Sequence, residues 1–257
     1  MTAGLARFLW ELKQGIRAFN LPYDSVMKKL FLALLALIVV ANPLFPQKSA
    51  KKSVFGANAG LSIPYKEFSR NTWGFYSGFA APGPNIEAEF LRYGRLFGFS
   101  SSIGYASIFF NEKDYKSEYD RVLSGIGINE VAAGNYQVLK FLVGFTLKIP
   151  EIRNTEVLLL LHLGYALSVH PNLSVTNSEL GEINSIDQDA AGAPISNATI
   201  KINYWLNERY GLTINGGVNL TSPAFYDETG PGGSFRLPVR YVNTNIGIVM
   251  RLNAENK

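Results

Sequence analysis

The chain contains no cysteine. That excludes disulfides, thiolate metal sites, a cysteine nucleophile and a lipid-modified N-terminal cysteine. Charge is also scarce: Asp, Glu, Lys and Arg make up 17% of 257 residues, against about a quarter in ordinary soluble domains. The surface must therefore be covered by something other than the usual lysines and glutamates. The net charge of +4 hints at nucleic acid, but residues 1–47 hold five basic residues against two acidic ones, and the remainder has 19 basic and 18 acidic. Nucleic-acid binding has no electrostatic support in so balanced a chain. Long apolar runs are missing too. The longest, Leu30 to Val40, has eleven residues, well short of the ~20 that a spanning helix needs.

That run belongs to MKKLFLALLALIVVANPLFPQ, Met27 to Gln47, where two lysines, an apolar stretch and a polar, proline-containing end follow one another. This order is that of a secretory signal peptide, with cleavage expected after Ala41 or near Gln47. A signal normally begins at its own Met, so residues 1–26 read as an N-terminal extension added by a mis-assigned start. Within them Leu5, Phe8, Leu9, Leu12, Ile16 and Phe19 recur at helical spacing. Residues 48–257 form the remaining domain.

What is present in that domain is alternation. In YGLTINGGVNLT, Tyr210 to Thr221, the apolar residues Leu212, Ile214, Val218 and Leu220 fall in one set and Thr213, Asn215, Gly217, Asn219 and Thr221 in the other. A period of two marks a strand whose faces meet different surroundings. Seven further stretches behave alike: 54–63, about 79–93, 96–110, 136–149, 156–170, 198–206 and 239–252. In the fifth, LLLLHL blurs the pattern before it resumes. The connections alternate long and short. GR, PEIRNT and NER join strands two to three, four to five and six to seven, and stretches of about fifteen residues or more join the others. All long connections then lie at one end and all short ones at the other, the arrangement of an outer-membrane barrel with long external loops and short periplasmic turns.

Which face points inward follows from side-chain size. The polar set is chiefly Gly, Ser, Thr and Asn, which suit the cramped interior of eight strands, while Phe, Leu, Ile and Val suit a coat of acyl chains. A soluble barrel would instead need a charged exterior. Backbone groups in hydrocarbon must all be paired, so strands cross a membrane only as a closed sheet. The expected fold is all-β: a closed, antiparallel, up-and-down transmembrane β-barrel of eight strands. Aromatic residues near strand ends, Tyr93, Phe97, Trp205 and Tyr210 at the short turns and Phe110, Tyr136, Phe225 and Tyr241 at the long loops, are expected at the bilayer interfaces.

From Lys52 to Leu252 the chain resembles the small eight-stranded outer-membrane barrel proteins of Gram-negative bacteria, the group typified by the OmpA transmembrane domain and OmpX. GLSIPYKEF, Gly60 to Phe68, is similar to a first strand running into its external loop. The last strand departs from the family by ending in MRL rather than an aromatic residue, and no wall-anchoring role is implied. The resemblance implies residence in the outer membrane among its lipids and lipopolysaccharide, insertion by the barrel-assembly machinery, and an extracellular ligand for the loops as an open expectation.

Candidate chemistry is sparse. The lumen is expected to hold Glu87, Glu89, Lys140, Glu156, His162, Lys201, Asn203, Asn245 and Arg251 as a polar network, because buried charges must pair. The leading reading is a filled barrel with a structural or surface-interaction role, and the alternative is a small gated pore. A lipid-modifying enzyme would draw on His170, Ser174 and Glu182, yet a base must reach its nucleophile, and the Ser lies four residues away beyond Pro171. A soluble lipid-binding barrel is the remaining rival. No catalytic, cofactor or metal site is expected. The acidic stretch from Pro171 to Ile200 reads as a loop, and its IDQDAAG lacks the ligand spacing of a calcium loop. GPGGS, Gly230 to Ser234, follows no strand-to-helix pattern for phosphate. EKDYKSEYDRVL mixes charges at helical spacing and reads as a short surface helix.

Overall fold

The computed structural model describes residues 52–73, 77–122, 130–226 and 234–252. The expected signal peptide and extension lie outside them, as do residues 230–233 of GPGGS. Eight long strands follow one another: β1 (Lys52–Pro64), β2 (Gly83–Tyr93), β3 (Phe97–Phe110), β4 (Tyr136–Ile152), β5 (Thr155–His170), β6 (Asp189–Trp205), β7 (Tyr210–Thr221) and β8 (Val239–Arg251). Each pairs antiparallel with the next, and β8 returns to β1 through a register running from Val54↔Arg251 to Pro64↔Tyr241. The sheet is thereby closed and has no free edge among these strands. Closure satisfies the backbone internally, the condition for crossing hydrocarbon.

The faces sort as alternation predicts. On β7 and β8 the side chains of Leu212, Ile214, Ile246 and Ile248 are exposed, while Thr213, Asn215, Asn243 and Asn245 are buried. The large aliphatic side chains clothe the wall and the amides fill the inside, the inverse of a soluble barrel. LLLLHL also resolves by parity. Leu158 and Leu160 point inward and are fully buried, with His162 next in the same row. The alternation blurs there because the lumen is apolar at that level.

Three expectations need correction. First, β6 begins at Asp189, not Ala198, and the stretch expected as an acidic loop contains the strands Leu173–Asn177 and Gly181–Ile186. These strands rise beyond the bilayer band, so no lipid imposes an apolar outward face on them, and the apolar side chains they carry, Leu173 and Val175, are buried in the cap. Pro194 is tolerated inside β6 because its carbonyl accepts a hydrogen bond from Thr221 Oγ1 at 2.9 Å. Its nitrogen therefore faces the side where β7 has ended, and no ladder bond is lost. Second, β4 runs to Ile152, which tightens the following turn to Arg153 and Asn154. Third, Tyr93, Trp205, Tyr136, Phe225 and Tyr241 do not ring the wall but are buried. Strand parity explains this for those within strands: Tyr93 shares its row with Glu87 and Glu89, and Trp205 with Lys201 and Asn203. The outward aromatics include Tyr105, Tyr165, Tyr204 and Tyr210.

Above the long-loop end sits a cap. The helix α1 (Glu112–Val122) forms where the charge-mixed segment was expected to be helical. Asn111 caps it, accepting from Asp114 N at 3.1 Å and donating to the Asp114 carboxylate at 2.8 Å. Tyr115, Glu118 and Tyr119, at i, i+3 and i+4, form its buried face. That face packs with Phe79, Val131, Leu173 and Val175, the last three from a small sheet of strands 130–133, 173–177 and 181–186.

Candidate functional site

The lumen has three levels. At the short-turn end Val54, Leu91, Tyr93, Leu158, Leu160, Trp205 and Val249 pack as an apolar floor. At the long-loop end an aromatic plug closes the mouth. Phe68 lies 5.0 Å from Tyr136 between ring centres, Tyr136 5.3 Å from His170, and His170 5.5 Å from Phe225 and 5.6 Å from Phe235. Ile108, Leu237 and Tyr241 complete the layer. The first loop is tied down by Glu67, whose carboxylate accepts from Arg240 Nη1 at 2.9 Å, and by Tyr136 OH donating to Gly78 O at 2.9 Å.

Between these layers lies the polar belt. Lys140 Nζ sits 2.6 Å from Glu87 Oε2 and 3.3 Å from Asn219 Oδ1. Lys201 is ion-paired with Glu89, whose other contact is a hydrogen bond from Asn58 Nδ2 at 3.2 Å. The belt thus sets two carboxylates against two ammonium groups. His162 bridges Ser100 Oγ at 2.7 Å through Nε2 and Asn197 Oδ1 at 3.1 Å through Nδ1, and Asn197 donates onward to Asn219 at 3.1 Å. Asn245 donates to Asn215 at 3.1 Å. Asn203 is fully buried, and neither end of its amide meets a protein partner among the described residues.

Glu156 and Arg251 belong to a separate cluster at the floor. Glu156 is fully buried and accepts from Tyr93 OH at 2.7 Å, Lys148 Nζ at 2.9 Å, Lys52 Nζ at 3.3 Å and Arg251 Nη2 at 3.4 Å. The Arg251 guanidinium also stacks 3.7 Å over the Trp205 ring. Of the nine lumen residues expected from sequence, the structure places six in the central belt, these two beneath it, and Asn203 opposite Glu156 across β5 and β6. The expectation passed over Lys148, Asn58, Ser100, Asn197 and Asn219. Lys148 and Asn197 stand in the same alternating rows as Lys140 and Lys201, so row membership was the available signal for them, whereas Asn58, Ser100 and Asn219 lie in the polar rows of strands from which no residue was chosen.

His170, Ser174 and Glu182 do not assemble into a catalytic arrangement. Nδ1 of His170 is bonded to Pro171 O at 2.8 Å and its ring is held in the aromatic plug. Ser174 pairs across strands with Ser185, and Glu182 with Thr176. Ser100, His162 and Asn197 form a serine–histidine–amide relay, but Ser100 is 1% exposed and walled in by the barrel, so no substrate carbonyl can reach it in this conformation. What the arrangement can do chemically is hold charge in register without exposing it. Between the paired belt and either end of the barrel stand the apolar floor and the plug.

No family model matches the chain, and no curated protein matches it. Among solved structures it is similar to Neisserial surface protein A (9% identity, 79% of this chain and 99% of that one, TM-score 0.40). It is also similar to Ail of Yersinia pestis (11%, 79% and 98%, 0.40) and to a major outer membrane protein of Thermus thermophilus (12%, 79% and 100%, 0.47). Likeness at this level concerns barrel shape alone. The closed sheet, lipophilic wall, polar filling and one-sided long loops of this chain are in themselves the architecture of an outer-membrane β-barrel.

Proposed function

We propose that this outer-membrane barrel is a closed, non-conducting scaffold that displays its long-loop cap for interaction outside the cell. The observation that carries the reading is the double seal. The mouth is stopped by Phe68, Tyr136, Phe225 and Tyr241 and the floor by Leu91, Leu158, Leu160 and Trp205, all buried, with the charges between them paired. A path for ions would have to cross the aromatic plug at the mouth and, at the floor, the apolar side chains packed around the paired Glu156 cluster. The cap, by contrast, is a built structure. Trp73 lies 5.7 Å from Tyr115 and 5.3 Å from Tyr119, joining the first loop to α1, and it still leaves half its surface exposed together with Leu180 and Tyr226. Exposed apolar side chains on a folded cap are the kind of surface that partners use.

Lipopolysaccharide and outer-membrane lipid around the wall, and insertion by the barrel-assembly machinery, are part of this proposal. Planar-bilayer recording tests it. The purified protein is expected to leave the bilayer silent, and reproducible single-channel steps would overturn the closed barrel in favour of a gated pore.

A further inference from the structure

The short-turn end carries a charge pattern that the closed-scaffold reading does not use. Each of its three turns holds an arginine beside an aliphatic residue: Arg95 next to Leu96, Arg153 next to Ile152, and Arg209 three residues after Leu206. Arg92, the penultimate residue of β2, is exposed on the outward side of the same rim. All four arginines are exposed, as are Ile152 at 73% and Leu206 at 59%. The acidic residues at this end are Glu208, which is exposed, Glu151, which precedes Ile152 in β4, and Glu156, which is buried inside the barrel and bonded there.

Arginine and aliphatic side chains projecting from the same turns conflict in water, where Ile152 and Leu206 gain nothing by exposure. They fit together at the boundary between headgroups and acyl chains. There the aliphatic groups dip into hydrocarbon, and each guanidinium reaches back to a phosphate that it can grip with two parallel hydrogen bonds. The rim is held at that depth by its neighbours. Tyr204 and Tyr210 face outward just above it, at the level where such rings settle, and the Arg209 guanidinium lies 5.5 Å from the centre of the Tyr210 ring. The backbone offers no reason for one of the arginines. Arg153 stands at φ 55, a left-handed conformation that glycine or asparagine adopts at lower cost.

We propose that the short-turn rim is a docking surface for the headgroups of anionic phospholipids, with Arg92, Arg95, Arg153 and Arg209 as the phosphate-binding groups and Ile152 and Leu206 as shallow anchors. Four arginines against the two carboxylates of the turns, Glu208 and Glu151, supply the complementarity. Lys52 and Arg251 are already engaged with Glu156 and are not needed.

The test uses the full barrel reconstituted in phosphatidylcholine vesicles with added phosphatidylglycerol. Spin-labelled phosphatidylglycerol and phosphatidylcholine are compared for their association with the protein surface. The wild-type protein is expected to prefer the anionic lipid by roughly fivefold or more. High salt should weaken the preference, and it should fall close to unity in the variant R92Q/R95Q/R153Q/R209Q. Equal association of the two lipids with the wild type, or an unchanged preference in the variant, would overturn the proposal. If the fourfold variant does not insert, R153Q and R209Q taken singly should each lower the preference, and no change in either would count against it. Arginine-dependent co-sedimentation with insoluble peptidoglycan, without any lipid preference, would assign the rim to the cell wall and likewise refute it.

Discussion

Replacing Glu89 by Gln probes the filled lumen most sharply. The substitution keeps shape and an acceptor for Asn58 Nδ2, which lies 3.2 Å from the carboxylate, but removes the charge facing Lys201. Lys201 is fully buried and ion-paired to Glu89. Breaking one side of a buried pair costs about 3–5 kcal/mol, because the surviving charge stays desolvated. Replacing both partners by apolar residues of similar volume is neutral or stabilising by about 1–4 kcal/mol. Glu89→Gln is therefore expected to lose about 3 kcal/mol or more, and Glu89→Leu with Lys201→Met to recover most of it. Reversible urea unfolding in lipid vesicles, read as a double-mutant cycle, gives the coupling. A cost under about 1 kcal/mol for Glu89→Gln, with additive behaviour in the double variant, would show that water already solvates Lys201. The lumen would then be an aqueous path.

Ile246, one of the most exposed residues of the wall at 68%, should cost about 2–4 kcal/mol when changed to Lys in the same unfolding assay, whereas equal tolerance of Asn245→Ser would contradict the assigned faces. Phe225 is fully buried in the mouth plug, so Phe225→Ala should cost about 3–5 kcal/mol while leaving planar bilayers silent, since the floor remains; channel steps in this variant would place the whole seal at the mouth. The Glu118 carboxyl is pushed down from 4.5 to about 2, first by its hydrogen bond from Arg121 and then by the one from Trp73 N–H. The stability it lends the cap is thus fully present above pH 4.5 and is lost as pH falls through about 2. Emission of Trp73, taken against a Trp73→Phe control, should follow that acid transition, and Glu118→Gln should abolish it.

Much of this barrel was legible because a bilayer imposes the simplest pattern a strand can carry. Ile246, Ile248 and Met250 against Asn243 and Asn245 state both the strand and its orientation. Legibility ended where the bilayer ends. Asp189 to Asn197 pairs with β5, and from Ile195 onward with β7 as well, but above the apolar band its alanines, Gly192 and Pro194 look like loop. The plug was hidden for another reason. Tyr136 and Tyr241 fill the lumen under loops folded over the mouth, and Phe68 and Phe225 come from those loops, so their burial depends on contacts distant in sequence. The lumen site was half visible. Charge alone picks out Glu87, Glu89, Lys140 and Lys201, whereas Ser100, Asn197 and Asn219 gain their roles from cross-strand register.

The absence of native cysteine opens the most direct test, in which single cysteines are placed at Ile214, Asn215, Asn245 and Ile246, spin-labelled, and probed in vesicles with oxygen and with a water-soluble nickel chelate. Labels at 214 and 246 are expected to collide freely with oxygen and hardly with nickel, and those at 215 and 245 to be shielded from both. High oxygen collision at 215 and 245 with shielding at 214 and 246 would turn the barrel inside out, and with it the account of how this chain lives in a membrane.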